Sequence, residues 1–170
     1  MSMWGKLRNG LERFLEWAVT ALLAAMVVIV VLGVLYRKFG HSLVWYDEVA
    51  SIVLAWLTYY GSALAALKRA HIGYSGLVDA VPTPWRYVLV AAAEIIVLGF
   101  FVLLAWVGYR VLLVLEGDTL VSLPQVSTQI TQSVIPVGAV LFVLAQLASL
   151  PDVIARARSG RRLHDEEFEP

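Results

Sequence analysis

The stretch "WAVTALLAAMVVIVVLGVLY", Trp17 to Tyr36, runs for twenty residues without a charge. A helix needs roughly 20 apolar residues to cross a hydrocarbon core about 30 Å thick, so this segment has the length and the composition of one membrane span. The whole chain has the same character. Of its 170 residues, 60% are hydrophobic and 15% charged, against about 25% charged in an ordinary soluble domain, and the mean hydropathy is +0.77. Six Trp and seven Tyr suit the headgroup level, where amphipathic rings collect. There is no Cys, which removes disulfides, thiolate chemistry and iron–sulfur ligation.

Three more spans follow the first, at about residues 48–67, 87–109 and 133–150. The third is apolar despite Glu94, and Pro136 falls in the first turn of the fourth, where a missing N–H costs least. The expected fold is an all-α membrane protein of four transmembrane helices. Residues 1–155 form a single integral membrane domain, and 156–170, "RARSGRRLHDEEFEP", a polar tail. The opening "MSMWGKLRNGLERFLEW" is not expected to be a cleaved leader. The apolar run behind it is too long and ends in Tyr36-Arg37-Lys38 rather than in small residues. No repeat with a period of 20 to 50 residues is visible, and the last two spans do not duplicate the first two, as a small inverted-repeat transporter would.

Four spans put both termini on one side, so the basic residues fall into two sets. One side holds Lys6, Arg8, Arg13, Lys68, Arg69, Arg86, Arg156, Arg158, Arg161 and Arg162, and the other Arg37, Lys38 and Arg110. By the positive-inside rule, the ten basic residues against three place both termini in the cytoplasm. The connections from Arg37 to Glu48 and from Arg110 to Gln132 then face outward.

The second span sits in "WYDEVASIVLAWLTYYGSALAALKRAH", Trp45 to His71. Asp47 and Glu48 at its start and Lys68 and Arg69 at its end complement the helix macrodipole and lie near the polar boundary. Between them Glu48, Ser51, Ala55, Thr58, Ser62, Ala65 and Arg69 recur at spacings of three and four, which aligns them on one stripe. Helices in lipid associate through small residues and through hydrogen bonds from Ser and Thr. This stripe is therefore expected to meet protein, either another helix of the chain or a partner subunit. Ile52, Val53, Leu57, Tyr60, Leu64 and Leu67 lie opposite and suit acyl chains or bulkier packing.

These residues resemble the small membrane subunit of the TRAP transporters, the tripartite ATP-independent periplasmic carriers of DctQ type. The family's aromatic–acidic opening to the second helix, its tryptophan, glycine and basic end with a histidine correspond to Trp45, Asp47, Glu48, Trp56, Gly61, Lys68, Arg69 and His71. In "SVIPVGAVLFVLAQL", Pro136 and Gly138 resemble the family's opening of the fourth helix. The resemblance extends over all four spans. It implies a non-catalytic subunit that packs on the fixed scaffold of a large membrane subunit, which itself binds substrate and sodium. A soluble periplasmic protein would deliver the substrate, an organic acid such as a four-carbon dicarboxylate, a keto acid or a sugar acid. The implied location is the bacterial inner membrane. Together with the stripe, this makes Trp45, Asp47, Glu48, Ser51, Ala55, Trp56, Thr58, Gly61, Ser62, Lys68, Arg69 and His71 the expected partner-binding set.

Glu94 stands outside that set. It lies eight residues past Arg86, about 12 Å along a helix, a depth at which a charge is costly and an acid is by default a functional candidate. The expected role is a buried polar anchor. The alternative is the proton-carrying acid of a small exporter that works as a homodimer. A third reading is an assembly subunit of another membrane complex. His41, His71 and His164 fall outside, inside and in the tail, so no two can share a membrane-embedded haem iron. No catalytic triad, phosphate-cradling loop or metal cluster appears, so neither enzyme activity nor a cofactor is expected. The ten basic residues on the cytoplasmic side are split among three segments and form no nucleic-acid stripe; the remaining expected partner is membrane lipid.

Overall fold

The structure, a computed structural model, describes residues 3–68 and 83–159. Arg69, His71 and most of the tail lie outside the described residues. The helices are α1 (Met3–Lys38), α2 (Tyr46–Leu67), α3 (Thr83–Val114), the short α4 (Thr128–Gln132) and α5 (Val134–Ser159). Four segments are long and apolar enough to span a membrane: Leu7–Lys38, Tyr46–Leu67, Tyr87–Val114 and Thr128–Pro151. The fold is all-α and multi-pass, as the sequence predicts. Helix suits this solvent because it satisfies its backbone polar groups within one segment.

The helices outrun the apolar runs for local reasons. On α1 the spacing of Leu11, Leu15, Ala18 and Leu22 continues one face past the charged first turns, and Leu15 is fully buried in the core, with Leu11, Ala18 and Leu22 packed against it. That burial holds the helix in register before Trp17. At the other end α1 stops in a Schellman motif. Gly40 takes φ 80°, His41 N donates to Tyr36 O at 3.0 Å and Gly40 N to Arg37 O at 3.1 Å, which satisfies the last carbonyls. Helix α5 continues through Pro151 to Ser159, beyond the end at Leu150 expected from apolarity. There proline removes a single backbone donor.

In the order of their main contacts, the long helices form a row: α1, α2, α5, α3. The interior pair is α2 and α5, and α1 and α3 form the edges. Accordingly, none of the most apolar window of α3 is buried within the chain. The core is Leu15, Tyr60, Ala63, Ala66, Leu67, Val134, Phe142 and Ala145. Three crossings rest on glycines. A Cβ on Gly138 of α5 would come within 2.6 Å of Tyr59 Cβ on α2, one on Gly108 of α3 would meet Ile135 and Pro136 at 3.0 to 3.2 Å, and one on Gly33 of α1 would strike the Tyr46 ring. Small residues here replace the hydrophobic drive that lipid does not supply.

Helix α3 meets α5 along Glu94, Val97, Phe101 and Gly108. Gln146 Nε2 donates to Glu94 Oε2 at 2.5 Å. Phe101 stacks on Phe142 with centroids 3.6 Å apart and planes 9° from parallel, and Gly108 lies against Pro136.

Candidate partner-binding site

At the start of α2, the Glu48 carboxylate reaches the connection between α3 and α4. Oε2 accepts from Ser122 N at 2.8 Å and from the Ser122 hydroxyl, and Oε1 accepts from Val121 N at 3.2 Å. The loop it holds has its own frame. Leu120 N donates to Val126 O at 3.0 Å, Thr128 N to Asp118 O at 2.9 Å, Thr119 bridges Ser127, and Leu120 is buried. Ser127 caps α4 by accepting from Gln129 N. Gln129 Nε2 in turn donates to Leu112 O at 2.8 Å, one of the last-turn carbonyls of α3 that have no partner in their own helix.

Trp56 also serves this cap. Its indole N–H donates to Thr131 O at 3.2 Å and its ring stacks on Tyr60, with centroids 5.7 Å apart. Trp56 lies ten residues into α2, so α4 descends well below the start of that helix, by about 15 Å at 1.5 Å per residue. Both Glu48 and Trp56 are thus engaged within the chain.

The remaining stripe behaves differently. Ser51 and Thr58 are exposed, and their hydroxyls donate back to Asp47 O and Leu54 O at 2.8 Å. Ser62 donates to Tyr59 O at 2.8 Å. These hydroxyls tie to their own helix and cross to no neighbour. Ala55 and Ser62 are half-buried, with Ala55 packed against the core, while a Cβ on Gly61 would meet nothing within 4 Å. The face of α2 the chain uses for itself carries Tyr60, Ala63, Ala66 and Leu67, the first and last of which belong to the surface opposite the stripe. Trp45 is half-buried and Asp47 exposed.

Lys68, just past α2, bonds Glu16 at 2.5 Å and Glu12 at 3.5 Å on α1. The hydrogen bond to Glu16, helped by the charges of both acids, raises its ammonium above the ordinary lysine value. As folding raises this pKa, the contribution to stability is present throughout the neutral range and lost only as pH climbs past the raised value. Of the residues expected at this end, Arg69 and His71 fall outside the described residues.

Sequence reasoning missed Ser122, Gln129, Thr131 and Gln146. Ser122 answers to the Glu48 side chain, Gln129 bonds a backbone carbonyl and Thr131 offers its own, and none of the three carries a periodic signal. Gln146 is 7% exposed, and a buried amide in a membrane helix signals a polar partner; Glu94 is that partner. Among the described residues no three His, Asp or Glu come together to hold a metal ion. What the arrangement offers chemically is shape: a braced row of helices with the small-residue face of α2 only partly covered.

The family model described as "Tripartite ATP-independent periplasmic transporters, DctQ component" matches residues 26–156, from within α1 to within α5. No curated protein matches the chain.

Proposed function

Because the chain belongs to the DctQ family, the small membrane component of the TRAP transporters, we propose that it is a non-catalytic scaffold subunit that docks on a large membrane subunit through the uncovered face of α2. In this reading it enlarges the part of the transporter that stays fixed in the bacterial inner membrane. The large subunit carries out sodium-coupled uptake of an organic acid delivered by a periplasmic binding protein. Both termini lie in the cytoplasm, as the ten-to-three division of basic residues supports. Residues 1–155 act as one unit, with 156–170 as a cytoplasmic tail.

The observation that carries the docking surface is the stripe itself. Ser51 and Thr58 are exposed with their hydroxyls turned back onto their own helix, and a Cβ on Gly61 would meet nothing within 4 Å; in lipid such small faces serve close helix approach. Within the sequence-expected set, Glu48 and Trp56 shape the chain, and Ser51, Thr58 and Gly61, flanked by Ala55 and Ser62, meet the partner. Glu94 is a polar anchor between α3 and α5, a role its bond from Gln146 supports.

Thr58→Leu tests the surface. Leu is well tolerated in a lipid-facing helix and Thr58 is exposed, with its hydroxyl bonded only to Leu54 O of its own helix, so the variant is expected to insert normally and remain stable by itself. It should co-purify poorly with the large subunit, since overpacking a tight contact costs about 1–3 kcal/mol, and uptake should fall in proportion to the complex lost. Full partner recovery and uptake in both Thr58→Leu and Ser51→Leu would refute the docking surface.

A further inference from the structure

Between the last turns of α1 and the first turn of α2 lies an open cleft of about 120 Å³, lined by Gly33, Val34, Arg37, Ser42, Tyr46 and Asp47. At one wall the Tyr46 ring packs directly on Gly33, in the space a side chain there would occupy. Arg37 and Asp47 both line it, yet no ion pair joins them, and neither side chain is bonded to another described residue. Two opposite charges held apart in one cleft ask for a ligand that carries both signs.

The surroundings say what kind of ligand. The cleft sits where two membrane spans meet their connection, at headgroup level, with Tyr36 and Trp45 as neighbours in sequence. Below it, Val34, Val30, Val27 and Leu23 are spaced four, three and four, which puts them on one face of α1, and all four are exposed. A charged cleft continued by an apolar track has the layout of a phospholipid. We propose that it binds an amine-bearing zwitterionic phospholipid, with the phosphate on Arg37 and Ser42, the primary ammonium on Asp47 and an acyl chain along the α1 track.

Each assignment follows from donor and acceptor chemistry. The guanidinium fork matches two phosphate oxygens, and the Ser42 hydroxyl adds a donor. A primary ammonium offers three N–H donors to a carboxylate. A trimethylated ammonium offers none, and a glycerol headgroup brings no positive charge. The cleft should therefore prefer phosphatidylethanolamine over both phosphatidylcholine and phosphatidylglycerol.

The test uses the full chain, equilibrated with vesicles of equal parts phosphatidylethanolamine, phosphatidylcholine and phosphatidylglycerol, with retained lipid read by native mass spectrometry. Wild type should retain phosphatidylethanolamine several-fold over the other two. Asp47→Asn should abolish its advantage over phosphatidylglycerol, and Arg37→Gln should lower retention of all three. Lys38→Gln, which removes a neighbouring charge that does not line the cleft, should behave as wild type. Both tested side chains are exposed and unpaired, so their replacement leaves the core intact. Equal retention of the three lipids by wild type, or undiminished preference in both variants, overturns the proposal. Displacement of bound lipid by inorganic phosphate would reduce the cleft to an anion site and overturn it as well.

Discussion

Glu48 accepts three hydrogen bonds from one loop, two from backbone amides and one from the Ser122 hydroxyl, and an ionised carboxylate is a strong acceptor for such donors. In Glu48→Ala the Val121 and Ser122 amides lose their acceptor. Hydrogen exchange in residues 118–127 should quicken several-fold while the amides of α2 and α5 stay protected; unchanged exchange would mean that the loop holds itself. Glu94, proposed above as a polar anchor, makes the contrasting case, since an anchor does not require the charge. Its bond from Gln146 needs only an acceptor, which a glutamine carbonyl also provides. Glu94→Gln should keep stability and most uptake. Glu94→Leu takes the acceptor from the Gln146 amide and should cost about 1–3 kcal/mol, seen as a lower unfolding temperature in detergent. Complete loss of uptake in a well-assembled Glu94→Gln protein would instead point to proton carriage.

At the level of helices, the glycines divide into those that meet another helix of the chain and those that do not. Any side chain on Gly138 collides with Tyr59, so Gly138→Ala must push α5 from α2. It should destabilise the isolated chain by about 1–3 kcal/mol. Gly61 meets nothing within 4 Å, and alanine in a helix interior is favoured over glycine by about 0.5–1 kcal/mol. Gly61→Ala should therefore stabilise the isolated chain slightly while weakening its complex with the large subunit, two opposite signs measured by thermal unfolding and by co-purification. Gain without loss of partner would remove Gly61 from the docking face. The same glycines show how far the sequence could be read. Hydrocarbon thickness sets a length that composition reveals, so four spans were legible from Trp17 onward. Neighbour choice was not. Helix α3 is apolar on every side, and its contact face with α5 is marked mainly by Glu94 and Gly108. The stripe of α2 was legible as a face, but its periodicity could not say whether the chain or a partner covers it. The cap on Glu48 and Trp56 depends on backbone groups of an irregular loop, which have no sequence pattern.

As a whole, the molecule is a row of four helices whose interior pair, α2 and α5, runs in the same direction and whose edges present apolar surface. A row offers two broad faces and two edges to its surroundings, whereas a closed four-helix bundle would hide its small residues inside. This geometry suits a part that lies against a larger membrane body. It also fixes a relation between loops. The connections 39–45 and 115–127 lie at one end of the row, tied through Glu48, while Lys68 and the Glu12 and Glu16 carboxylates mark the other. The chain has no cysteine, so single replacements report sidedness without background. Ser42→Cys and Thr119→Cys should react with an impermeant thiol reagent from the same side of the membrane, and Ser75→Cys, on the connection after Lys68, from the opposite one. In the proposed orientation, drawn from the positive-inside rule, Ser75 faces the cytoplasm. In sealed spheroplasts Ser42 and Thr119 should therefore label and Ser75 should label only after lysis. Labelling of Ser75 in intact spheroplasts would invert the orientation while leaving the fold in place; labelling of Ser42 and Thr119 from different sides would break the four-span topology itself.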